Sequence, residues 1–221
     1  TGFGRYAGIV GAYNGFLTYG LQNKSFELKP AHLCHDRKEV ESELKKVKLP
    51  SNFRCVLTGF GKVGHGAREI ISLLPIKEVS AESFLNDTHL EPVFTHVDTH
   101  QYFARKADNG FDKADFYANP ENYKSNFAAF AQIADMYIPC HFWSAKSPLI
   151  LTQDMLRSAQ NRIKLVADIS CDIDGPIAST IRASTIENPI YGYDPITEKE
   201  VDFSDENAIV VMAVDNLPCE L

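Results

Sequence analysis

The segment "CVLTGFGKVGHGAREII", residues 55–71, constrains the fold more than any other part of the chain. An apolar run of strand-forming residues leads into glycines, and the glycines lead into a stretch with helical spacing. Gly59, Gly61 and Gly64 satisfy G-x-G-x-x-G, with Lys62 and Val63 between the second and third glycines. In a strand–turn–helix context the first glycine permits a tight turn. The second lets the backbone approach a diphosphate, and the third lets helix and strand pack closely. Amide groups at the helix start, with the helix dipole, favour the negative charge. Residues 59–64 are therefore expected to bind a dinucleotide, although glycine-rich turns also serve packing and methyl-donor binding.

The rest of the chain repeats the alternation. Residues 54–58, 77–80, 92–97, 136–142, 165–170 and 208–214 read as strands, 67–74 and 153–158 as helices, and 115–134 as helical pieces broken at Asn119-Pro120. That order predicts an α/β fold, a Rossmann-like parallel sheet with flanking helices. Upstream, "FGRYAGIVGAYNGFLTYGLQ" sets Tyr6, Ile9, Val10, Tyr13, Phe16, Leu17 and Tyr19 at helical steps. Its small residues, Gly4, Ala7, Gly8, Gly11 and Ala12, leave room for another backbone, so it reads as a packing helix of poor intrinsic propensity. A charged helix over 36–48 follows and is broken at Pro50-Ser51-Asn52. The expected organisation is an interdomain helix and linker over 1–50 and a Rossmann-like dinucleotide-binding domain over 51–221, that is, a nucleotide-binding domain plus part of a second domain.

Composition narrows the partner. With 221 residues, 44% of them hydrophobic, the chain can bury a full core. Its 29 acidic and 22 basic residues leave a net charge of −7 without any Lys/Arg block, which argues against nucleic acid and anionic lipid and for a small molecule. No apolar run nears the roughly 18 residues of a membrane span. Cys34, Cys55, Cys140, Cys171 and Cys219 form an odd set without CxxC spacing, as expected of reduced thiols in a cytoplasm. An opening on Thr1 rather than Met, inside a Gly-rich apolar segment, points to a portion of a longer protein.

A dinucleotide fold also calls for a ribose-binding acid about 20 residues beyond the glycines. Glu78 and Glu82 stand near that spacing and Asp98 closes the later run "VFTHVD", but none of the three stands out. With no Arg in that loop, and Glu82 placed to repel a 2′-phosphate, the balance tilts to NAD over NADP.

Other groupings have plainer readings. Asp168, Asp172 and Asp174 form a candidate metal cluster, yet acids after a strand more often cap a turn. His32, Cys34 and His35 invite zinc but lack a second pair. His96 and His100 flank Asp98 and have the acid–base chemistry for catalysis near neutral pH, against a simple loop role. Cys140 and His141 are adjacent in a strand-like run, where neighbours point to opposite faces, so a thiolate pair is not expected.

Three further stretches carry a family likeness: "FGRYAGIVGAYNGF" before the glycine loop, "VADISCDIDGPIASTIRASTIENPIYGYDP" from 166 to 195, and "VMAVDNLPCEL" at the end. Together they resemble the alanine dehydrogenase and lysine-forming saccharopine dehydrogenase superfamily, closest to saccharopine dehydrogenases and the lysine/2-oxoglutarate reductase half of the bifunctional enzyme. The segment from Arg105 to Trp143 looks like the insertion on the reductase side. The resemblance implies oxidative deamination of a secondary amine. The C–H hydride of saccharopine passes to NAD or NADP, water attacks the imine, and lysine and 2-oxoglutarate leave. It implies two Rossmann-like domains with the cofactor between them, and a Lys and a His in the N-terminal domain as general acid and base. That domain has no counterpart here, so the catalytic residues are expected outside the fragment. On the same basis Cys140 and His141 line the adenosine and nicotinamide-ribose region, Asp168 and Asp172 face the nicotinamide, and Asp215 and Asn216 belong to the closing loop. Saccharopine, or lysine and 2-oxoglutarate, is the expected partner, and a homodimer is compatible with it.

Overall fold

The computed structural model describes residues 3–215. Helix α1 (Phe3–Asn23) opens the chain, and α2 (Arg37–Leu44) starts where the Asp36 side chain accepts the Glu39 amide. The glycine segment forms β1 (Arg54–Thr58) and α3 (Lys62–Ile71), the helix beginning directly after Gly61. Next come β2 (Lys77–Glu78), α4 (Ala81–Asn86), β3 (Val93–Val97) and the single turn α5 (Thr99–Tyr102). Then follow β4 (Phe103–Arg105), α6 (Lys113–Ala118), β5 (Tyr123–Ser125) and α7 (Ala128–Ala131). The remaining elements are β6 (Met136–Pro139), α8 (Gln153–Arg157), β7 (Leu165–Ala167), β8 (Ile190–Asp194), β9 (Lys199–Val201) and β10 (Ile209–Met212).

Eight strands form one sheet in the order β2-β3-β1-β6-β7-β10-β8-β9. The first six in that order run parallel, as the alternation of strands and helices predicts. Apart from the short, exposed edge strand β2, their residues are mostly apolar on both faces because both faces are covered. Cys55, Leu57, Met136, Ile138, Leu165 and Ala167 point into one core with α1, α2 and α3. Val56, Tyr137 and Val166 point into the other. The antiparallel β8 and β9 were not foreseen. They form a hairpin whose first strand lies within "TIENPIYGYDP", with Asp194 accepting the Ile196 amide in the turn and Glu198 at φ +59°.

Helix α1 packs on α3 as the small residues of its sequence suggest. A Cβ at Gly8 would lie 2.0 Å from the Val63 carbonyl oxygen, so only glycine permits this approach. The helix thus buttresses the start of α3. Strands β4 and β5 pair on their own and, with α6, enclose an aromatic core of Phe103, Phe111, Phe116 and Tyr123.

Candidate functional site

From β1 the chain crosses to β2 and β3 on one side and to β6 on the other, so the sheet has its topological switch point between β1 and β6. Beyond the carboxyl ends of these strands lies a cleft of about 560 Å³. The glycine loop (Gly59, Phe60, Gly61, Lys62, Val63) forms one wall. Asp98 and Thr99 follow β3, Cys140, His141 and Phe142 follow β6, and Ile169 and Ser170 follow β7. Lys113, Phe116 and Tyr117 of α6 close the far side.

The three glycines have different reasons to be glycine. Gly59 sits at φ +105°, and a Cβ there would stand 2.3 Å from the Cys140 carbonyl oxygen. A Cβ at Gly64 would stand 1.9 Å from the Gly59 carbonyl oxygen. At Gly61 an added Cβ meets no atom of the described residues within 4 Å, and the backbone is in an ordinary extended conformation. The fold does not require glycine at Gly61, whereas a diphosphate approaching the start of α3 does. His96 holds the loop from below: it donates its Nε2–H to the Gly59 carbonyl and stacks on Phe60 at 4.0 Å, 17° from parallel. Burial lowers its pKa, which keeps the ring neutral. His96 is therefore a strand residue that shapes the loop, while His100 is exposed on α5.

The strand beside β1 is β3, not β2, because the short β2 lies outside it. Asp98, next after β3, accordingly occupies the place at which a ribose-binding acid is wanted, and it lines the cleft. Its carboxylate also accepts the Thr99 amide at 2.8 Å and caps α5. Glu78 is taken up by Arg68 at 2.6 Å, and neither it nor Glu82 lines the cleft. The intervening β2 and α4 place Asp98 beyond the usual spacing, so the sequence alone does not favour it over Glu78 or Glu82.

Cys140 and His141 do come together with the glycine loop. Burial raises the Cys140 pKa well above that of a free thiol, so it stays protonated. His141 is buried, its pKa lowered to about 3 by desolvation, and its Nδ1 lies 2.9 Å from the Thr58 hydroxyl. The same hydroxyl is 2.9 Å from the Tyr137 phenol, while His141 Nε2 has no partner among the described residues.

Asp168 lies apart from the cleft lining. Fully buried, it accepts the Ser170 hydroxyl at 2.5 Å, the Cys171 amide at 3.0 Å and the Thr180 hydroxyl at 2.6 Å. It organises the turn that puts Ile169 and Ser170 on the cleft, and burial raises its pKa. Asp172 is half-buried, its pKa raised by desolvation and then by the Asp168 charge, and it does not line the cleft. Asp215 is exposed just after Val214, and Asn216 lies outside the described residues. Among the described residues no three His, Cys, Asp or Glu side chains are set to hold a metal, so neither the aspartates nor "HLCH" converge. Nor, among them, is any helix long and apolar enough to cross a membrane. Lys113 and Tyr117 carry no local signal of a place on the cleft, because nothing in the sequence ties an insertion to a distant loop.

No protein-family model matches the chain. Over 185 residues it is 31% identical to alpha-aminoadipic semialdehyde synthase of Arabidopsis thaliana, a match that takes in 75% of this chain and spans 17% of that protein's length. An L-alanine dehydrogenase structure superposes on 98% of this chain and 47% of its own, with a TM-score of 0.48 and 14% identity. At the identity and coverage of the sequence match, the chain belongs to the alanine dehydrogenase and lysine-forming saccharopine dehydrogenase superfamily.

Proposed function

We propose that the chain is the cofactor-binding portion of an NAD(P)-dependent saccharopine dehydrogenase or lysine/2-oxoglutarate reductase, an oxidoreductase acting on the CH–NH group of a secondary amine. The observation that carries the reading is the open cradle at Gly61, set at the switch point between Asp98 and His141. Gly59, Gly61, Lys62, Val63 and the first turn of α3 would hold the diphosphate, with Asp98 on the ribose next to adenine. When bound, the nicotinamide supplies a hydride acceptor or donor.

This chain's own residues hold and orient. The buried Asp168 fixes the turn after β7, Asp172 and Asp215 stand on the loops that follow β7 and β10, and Asn216 comes next in sequence. The groups that move protons on the substrate are proposed to belong to other parts of the parent protein, with saccharopine, or lysine and 2-oxoglutarate, as substrate. A carboxylate at Asp98 favours the free 2′-hydroxyl of NAD over the 2′-phosphate of NADP. Calorimetric titration with NAD, NADP and S-adenosylmethionine tests the binding reading: a dinucleotide should bind and the methyl donor should not. Saccharopine-dependent reduction of NAD or NADP by the parent protein tests the chemistry, and its absence in both directions would overturn the substrate assignment.

A further inference from the structure

The polar chain below the cleft has only one hydrogen-bonding direction that satisfies its buried groups. Val56 of β1 is in register with Tyr137 of β6, so Thr58, two residues on, faces the same side and reaches the Tyr137 hydroxyl. That hydroxyl is fully buried, and its one partner among the described residues is Thr58. A buried phenol proton without an acceptor is costly, so Tyr137 donates to Thr58 Oγ1. The Thr58 hydroxyl proton is then left for His141 Nδ1, which must accept it. In the neutral ring the remaining proton resides on Nε2. Nε2–H is thus a donor, buried from bulk water, without an acceptor among the described residues, on a residue that borders the cleft.

We propose that His141 donates Nε2–H to an oxygen acceptor of the bound dinucleotide, and that Thr58 and Tyr137 are positioning residues that set its tautomer. The acceptor lies on the diphosphate or the ribose beyond it. His141 follows β6 and its amide nitrogen is 2.8 Å from where a Gly59 Cβ would be, whereas Asp98, at the adenine side, follows β3 across β1. The proposal rests on the dinucleotide reading above but adds a statement about the ligand-free protein.

Long-range ¹⁵N–¹H spectra of the chain test both parts. Without ligand, His141 should show the Nε2-protonated tautomer at neutral pH; an Nδ1-protonated ring would overturn the relay. Added NAD or ADP-ribose should shift the His141 Nε2 signal and the loop amides, and AMP should shift only residues near Asp98. Loop amides that move while His141 Nε2 does not would mean an acceptor that is a held water only, and would overturn the ligand contact. If no dinucleotide moves the loop amides, the functional reading and the ligand contact fall together, while the ligand-free tautomer still decides the relay. Thr58→Val should weaken NAD binding about tenfold, with Thr58→Ser restoring it. Equal affinity of folded Thr58→Val and wild type would refute the positioning role.

Discussion

Gly64 and Gly59 touch through the space left by a missing side chain: a Cβ on Gly64 would lie 1.9 Å from the Gly59 carbonyl oxygen, the same oxygen that accepts the His96 Nε2–H. The third glycine therefore serves the fold, whereas at the second a Cβ would meet nothing among the described residues, which leaves the ligand proposed above as its reason to be glycine.

This difference separates two substitutions. Gly64→Ala overpacks a backbone contact and should lower stability by about 1–3 kcal/mol in urea denaturation. Gly61→Asp should unfold at the wild-type urea concentration yet lose dinucleotide binding by about a hundredfold or more, because it adds bulk and negative charge at the start of α3. Unchanged affinity of Gly61→Asp in calorimetry would refute the loop assignment.

Substitution at Asp98 should alter cofactor choice more than stability. Asn caps a helix about as well as Asp, so Asp98→Asn should keep α5 in place. Loss of the carboxylate should weaken NAD by about tenfold and narrow the gap to NADP. Paired titrations with the two cofactors give the ratio, and an unmoved ratio would show that the acid does not read the ribose.

The aromatic wall from the insertion makes a third case. Tyr117 is 62% exposed although Phe116 beside it is buried, so Tyr117→Ala should leave the unfolding free energy within about 0.5 kcal/mol of wild type. If Tyr117 covers the bound nucleotide, its affinity should fall several-fold, and AMP affinity should fall with it. An AMP affinity equal to wild type would take Tyr117 out of the adenine side.

Acid should destabilise the chain through His141. Burial holds its folded pKa at about 3, below the ordinary 6.5, so between those values the unfolded chain binds a proton that the folded chain does not. Stability from this group is full above pH 6.5 and is lost as pH falls toward 3. The buried His96 acts in the same sense and Asp168, its pKa raised, in the opposite one. Comparing denaturation of wild type and His141→Gln at pH 7 and pH 4 isolates the term: the variant should lose less stability on acidification. Equal losses would show that His141 is not held neutral by the fold.

Local order along the chain determined the strand–glycine–helix unit, the α/β alternation and the packing role of α1, because backbone conformation and apolar period are properties of neighbouring residues. The likeness of "DISCDIDGPI" and "VDNLP" to one superfamily was likewise legible without coordinates. Only the tertiary structure decided which strand lies beside β1, and with it that Asp98 rather than Glu78 or Glu82 reaches the cleft, since pairing order is not written in sequence spacing. It also separated Asp168, buried beneath a turn, from Ile169 and Ser170 on the cleft, because the Asp168 carboxylate is held by the Thr180 hydroxyl twelve positions on, a contact that spacing does not specify. The contact of Thr58 with His141 across 83 positions exists only because β1 and β6 are neighbours in the sheet.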